Sequence, residues 1–210
     1  KEQVASEPQT WLTPCQCSPY YQNTALYPLI DLLERVALRF VREESPPQKL
    51  RKLEGLIVQY GLSLAETVPL FAALLSLPLG TDYAPLPVSP EQQKQRTLQA
   101  LLTILLRIAA QHPVLFVVED LHWVDPTTLE FLSLVVDQGP TARILALWTF
   151  RPDFSPPWTG RSHLTQVTLQ RLPRRQAAEL TGRVAHGKAL PSEVVEQIVA
   201  RTDGVPLFVE

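Results

Sequence analysis

The chain has 210 residues, of which 45% are hydrophobic and 19% charged, with a formal net charge of −2. That length can bury the core of one domain, or of one domain and a small appendage. The near-neutral balance argues against a general nucleic-acid-binding surface, and no apolar run reaches the length of a membrane span.

In chain order, Trp11 to Cys17 is predicted as a strand. Pro14 within it points to a sheet edge or a bulge, because proline donates nothing to a ladder. Cys15 and Cys17 would face opposite sides of that strand, which argues against a mutual bridge and for reduced core thiols. Reduced thiols fit a cytoplasmic protein. Leu26, Leu29, Ile30, Leu33, Val36, Ala37 and Phe40 stripe a helix over Ala25–Phe40, with Pro28 in its first turn. Leu50–Tyr60 and Leu64–Leu77 read as two more helices, with Gly61 a stop between them. Pro78, Pro85, Pro87 and Pro90 make the following stretch a loop. Ser89-Pro90-Glu91-Gln92 then opens the strongest helix. Ser89 caps it, Pro90 suits the first helical position, and Gln92 completes a capping box.

Pro113 ends that helix. Val114-Leu115-Phe116-Val117-Val118 follows, leading into Glu119-Asp120. Five apolar residues read as a strand buried on both faces. Carboxylates at the C-terminal end of such a strand stand where open α/β sheets bind ligands. Two charges there need a cation or polar partners, since unpaired buried charge is costly. Asp125 before Pro126 is a helix N-cap candidate, and that helix should run to about Asp137. Arg143–Phe150 is a second apolar strand, ending at Arg151-Pro152, and Leu164–Leu169 a shorter third. Pro173–Val184 and Pro191–Arg201 are expected to be helices. Alternation of strand and helix implies an α/β fold with a parallel sheet and right-handed crossovers.

Three segments in order carry a family resemblance. Val117-Val118-Glu119-Asp120-Leu121-His122-Trp123-Val124-Asp125 resembles the Walker B segment of STAND-type ATPases, a signalling branch of the AAA+ and P-loop NTPases. Ile144-Leu145-Ala146-Leu147-Trp148-Thr149-Phe150-Arg151-Pro152 resembles that family's next strand, whose end carries a sensor arginine. Thr202-Asp203-Gly204-Val205-Pro206-Leu207-Phe208-Val209-Glu210 is similar to its helical-lid Gly-x-Pro motif. More loosely, Cys15-Gln16-Cys17-Ser18-Pro19-Tyr20 resembles the second strand in large bacterial regulators that carry this module, some joined to class III nucleotide cyclase domains or helical repeats.

The resemblance implies a three-layer α/β/α P-loop NTPase-like core over residues 1–170 and the start of a helical lid over residues 171–210. It implies ATP and Mg²⁺ as cofactors, with Glu119 and Asp120 at the metal, Asp120 orienting the attacking water and Arg151 sensing the γ-phosphate. His122, Asp125, Gly204 and Pro206 are then placed near the nucleotide. The residues alone leave plainer readings open. The acidic pair could simply close a buried strand, and His122 could pack against Trp123. Asp125 could be an N-cap only, Arg151 could pair with Asp120, and Gly204-Val205-Pro206 could be only a turn. A phosphoacceptor receiver also carries an acidic pair after a strand, but there the pair closes the first strand and a late strand supplies a lysine.

One departure is large. The Gly-x-x-x-x-Gly-Lys-Ser/Thr string that cradles phosphates does not occur in these residues. None of Lys1, Lys49, Lys52, Lys94 and Lys188 follows a glycine-rich strand-to-helix turn. The chain contains no Met, begins as though within a helix and ends on an apolar run, so the expectation is an internal piece, truncated at both ends and starting just after the P-loop helix. The expected function is an ATP-binding or hydrolysing switch module of a cytoplasmic bacterial signal-transduction or transcription regulator. Its parent would be a slow, regulatory ATPase, and this piece alone inactive. Expected partners are ATP, output and sensor domains of the same polypeptide and other protomers, with no membrane and no direct nucleic-acid contact. The alternative is a non-catalytic scaffold on a degenerate nucleotide-binding fold.

Overall fold

The protein is described by a computed structural model that covers residues 10–158, 160–186, 188 and 190–208. It divides into two units, one ending at His163 and one beginning at Leu164. The first is built on three parallel strands: β1 (Trp11–Gln16), β2 (Val114–Glu119) and β3 (Ile144–Trp148), in the order β1-β2-β3. Gln16 pairs in register with Glu119, and Val118 with Trp148. The three C-terminal ends therefore finish side by side along one edge.

β2 is central, and Val114 to Val118 are all buried, as an unbroken apolar run requires. Among the described residues β1 takes an edge, and Pro14 sits within it opposite Val117. β3 forms the other edge among the described residues, with Leu145 and Leu147 exposed at 68% and 54%. On one sheet face Phe116 meets Phe131 and Trp148 edge-on, at centroid distances of 6.4 and 6.5 Å. Cys15 and Cys17 are buried and unbridged.

Four helices lie between β1 and β2: α1 (Tyr27–Leu32), α2 (Pro46–Gln59), α3 (Leu64–Leu74) and α4 (Pro90–Gln111). The helix expected over Ala25–Phe40 is shorter than its stripe, because α1 runs on into a π-helical turn over Leu33–Ala37. α2 starts ahead of Leu50 because Ser45 and Gln48 form a cap there, the Ser45 N–H donating to Gln48 Oε1 at 2.8 Å. Gly61 is left-handed (φ 61) and stops α2. α3 ends before Leu77, since Ser76 is left-handed (φ 53) and the Leu77 N–H turns back to the Ala72 carbonyl at 2.8 Å. The capping box of α4 is formed: Ser89 Oγ accepts from the Gln92 N–H at 3.2 Å, and Gln92 Oε1 from the Ser89 N–H at 3.1 Å. α5 (Pro126–Gln138) connects β2 to β3.

In the second unit the expected strand over Leu164–Leu169 is absent, and these residues join no ladder. Their apolar positions, Leu164, Val167 and Leu169, break the period of two, so no face repeats, and Val167 and Leu169 are exposed. α6 (Arg174–Val184) and α7 (Ser192–Thr202) follow, with a short 3₁₀ turn over Pro206–Phe208. No described helix is long and apolar enough to cross a membrane.

Candidate functional site

Glu119 is the last residue of β2, and Asp120 follows it in the left-handed region (φ 59, ψ 42). Aspartate is one of the few non-glycine residues that enters this region readily. The turn is fixed from both sides. Towards β3, the Asp120 N–H donates to Thr149 Oγ1 at 3.2 Å and the Leu121 N–H to the Thr149 carbonyl at 2.9 Å. Thr149 in turn donates its N–H to the Val118 carbonyl at 3.0 Å. Towards β1, Gln16 Nε2 donates to Asp120 Oδ2 at 3.4 Å, and the Cys17 N–H to the Glu119 carbonyl at 2.9 Å. Glu119 and Asp120 are both half-buried. The sheet edge thus holds two adjacent carboxylates, supported by a polar residue from each neighbouring strand end.

Gln16 and Thr149 were not singled out in the sequence. Their signal was modest: each is a polar residue closing an apolar strand, and only the parallel register shows that both end level with Glu119.

Asp125 is buried, 2% exposed, and fully engaged. Its Oδ1 accepts from the N–H groups of Thr127, Thr128 and Leu26 at 3.0, 2.9 and 3.1 Å, and its Oδ2 accepts from the Thr128 hydroxyl. It is the N-cap of α5 and also fastens the start of α1. Burial, together with Asp125 and Asp120 nearby, pushes the Cys17 thiol up to about 12. Cys15 is likewise raised, chiefly by burial. Neither cysteine supplies a thiolate near neutral pH, so the edge has carboxylate chemistry and no thiol nucleophile.

Among the described residues no three His, Cys, Asp or Glu side chains stand together as a metal cage. Two carboxylates beside amide and hydroxyl oxygens are hard donors. Mg²⁺ is commonly bound by one or two carboxylates and completes its shell with water and phosphate oxygens. The donor set therefore fits a cation that arrives with a phosphate ligand.

The AAA ATPase domain family matches residues 2–147, well over half of the chain. The chain belongs to that family. An uncharacterized protein of Rhizobium meliloti (strain 1021) is 26% identical over 205 residues, which cover 93% of this chain and 19% of that protein. The chain thus spans under a fifth of the length of this relative. No solved structure matches it. Membership makes the three-stranded parallel sheet with its helices a P-loop NTPase-like α/β core and assigns the chain to a nucleotide-binding module; the family generally binds ATP with Mg²⁺.

On this AAA ATPase core Arg151 lies just past β3, exposed, and among the described residues it forms no ion pair with Asp120 or any other carboxylate. The His122 ring packs on Trp123 with centroids 5.0 Å apart, and both its ring nitrogens are buried with no hydrogen-bond partner among the described residues. Gly204 and Pro206 belong to the second unit. Gly204 is left-handed (φ 71), and a Cβ on it would stand 2.3 Å from the Leu172 carbonyl oxygen. Its own carbonyl accepts from the Leu172 N–H at 2.7 Å, and Pro206 opens the turn that follows. Arg171 and Asp203 form an ion pair across this turn.

Proposed function

We propose that this chain is the water-activating part of an ATP-dependent switch of the STAND type, within a bacterial cytoplasmic signalling or transcription regulator. The observation that carries the reading is the left-handed Asp120 turn, held between Gln16 and Thr149 with Glu119 beside it. Such an edge commits two carboxylates to a fixed place at the ligand-binding end of the sheet. The order of the three resembling segments supports the finer STAND assignment.

In this reading Glu119 holds Mg²⁺, which would neutralise charge on the phosphates when bound. Asp120 orients a water molecule and accepts its proton. Gln16 keeps the Asp120 carboxylate in one orientation. Arg151, which pairs with no carboxylate among the described residues, meets the anionic terminal phosphate. Gly204 and Pro206 let the second unit report the nucleotide state to output domains of the same polypeptide. His122 and Asp125 support the carboxylate segment, Asp125 through its caps. In the same reading residues 1–170 are the ATPase core and residues 171–210 the start of a helical lid.

The test is Mg-ATP titration of the intact protein by calorimetry, with and without Glu119→Gln. The substitution is expected to weaken binding in Mg²⁺ at least about tenfold, roughly 1.4 kcal/mol, and to leave Mg²⁺-free binding unchanged. An unaltered Mg²⁺ dependence removes the role given to Glu119. A scaffold reading has one observation in its favour, the lack of a Gly-x-x-x-x-Gly-Lys-Ser/Thr string in these residues. It gains if the intact protein does not bind Mg-ATP.

A further inference from the structure

α1 is the least regular helix of the first unit. Leu26, its N-cap, is left-handed (φ 60), and so is Arg39 beyond its end (φ 49). Neither residue type adopts that region readily. Between them Leu33–Ala37 forms a π-helical turn. Such turns are rare and recur at functional sites.

The π-turn borders a partly open apolar pocket. An apolar cavity of about 60 Å³ is lined by Leu33, Val36 and Ala37 of the turn, by Trp11 and Phe116 of the sheet and by Ile104 of α4. Thr13, a polar side chain of its wall, commits its hydroxyl to the Leu115 carbonyl at 3.2 Å. The pocket opens partly to solvent, and its apolar wall offers water few partners. A strained helix beside an unfilled apolar pocket can gain buried surface if the π-turn resolves and its side chains move inward. The start of α1 is tied to the carboxylate segment by the hydrogen bond from the Leu26 N–H to Asp125 Oδ1. Asp125 lies five positions after Asp120 on that same segment.

We infer that α1 is a two-position element latched by Asp125. When the Glu119–Asp125 segment shifts with bound nucleotide, Leu26 is released, the π-turn resolves, and α1 settles into the cavity. The movement carries Tyr27, its stacked partner Tyr21 (centroids 3.6 Å apart) and the exposed Tyr20 loop. The trigger rests on the ATP-dependent reading above; the latch and the two positions do not.

Fluorine NMR of the intact protein labelled with 5-fluorotryptophan tests this, because Trp11 lines the cavity. Its resonance is assigned with Trp11→Phe. In the ligand-free protein, exchange with the minor position is expected to broaden the Trp11 line, and Ala37→Val, which fills part of the pocket, to sharpen it. Equal line widths overturn the proposal. Asp125→Ala, which lacks the latch, is expected to place the ligand-free Trp11 resonance where Mg-ATP places it in the wild type. A resonance left at the ligand-free wild-type position overturns the latch. Should Asp125→Ala not fold, the Ala37→Val line width decides. Calorimetry on the same samples separates the readings: no Mg-ATP binding ends the functional reading, while the ligand-free comparisons still decide the latch.

Discussion

Asp120 meets two demands at once, a backbone that accepts φ 59 and a carboxylate at the sheet edge. Gly204 meets the corresponding demand in the second unit, where a side chain is excluded altogether. Gly204→Ala forces a Cβ to within 2.3 Å of the Leu172 carbonyl oxygen at φ 71. It is expected to cost about 2 kcal/mol or more, as other substitutions at special backbone positions do. Denaturant unfolding followed by a probe in the second unit would measure it; an unchanged midpoint would show that the turn can move. The buried thiols make a separate prediction. The Cys17 thiol stands at about 12 in the folded protein against 9.0 as its ordinary value, so on raising the pH the unfolded chain loses that proton first. Its stabilising contribution is complete below pH 9 and is lost between about pH 9 and pH 12. Cys15, raised by burial, acts in the same direction. The urea midpoint is therefore expected to fall above pH 9, and less steeply when both cysteines are replaced by alanine.

Elements differed in how far their residues announced them. β2 was legible because burial on both faces leaves no polar residue between Val114 and Val118. α4 was legible because its capping box and its apolar stripe agree. The first turn of α2 was not, since Pro46, Pro47, Gln48 and Lys49 show no apolar period and only the Ser45–Gln48 cap marks the start. The π-turn in α1 was hidden, because its stripe through Leu33, Val36 and Ala37 looks the same in an α-helix. Leu164–Leu169 was misread from composition, for a strand needs a partner as well as apolar residues. Glu119 and Asp120 were visible as neighbours in the chain. Gln16 and Thr149, 104 and 29 positions from Asp120, reach it only through the register of three strands. β3 has an edge left unpaired among the described residues, with exposed Leu145 and Leu147. Such edges recruit other strands, and a charged side chain such as lysine on the edge strand blunts them. Leu147→Lys is expected to lower aggregation of the isolated 210-residue chain at little cost in stability, as read by light scattering and urea unfolding. Unchanged aggregation would place the sticky surface elsewhere.

For the molecule as a whole, the motifs are shared between the two units: the acidic pair, Arg151 and Asp125 in the first, Gly204 and Pro206 in the second. The switch proposed above draws on both. The AAA ATPase match and the parallel sheet establish the kind of core, and the turn at Asp120 identifies where on it chemistry is proposed. The most direct measurement is ATP turnover by the intact protein carrying Asp120→Asn. Asparagine also tolerates the left-handed backbone, so the substitution removes the carboxylate and keeps the turn. Phosphate release is expected to fall at least about 100-fold, the scale of a lost general base, with Mg-ATP affinity unchanged by calorimetry. Turnover at the wild-type rate would contradict the account.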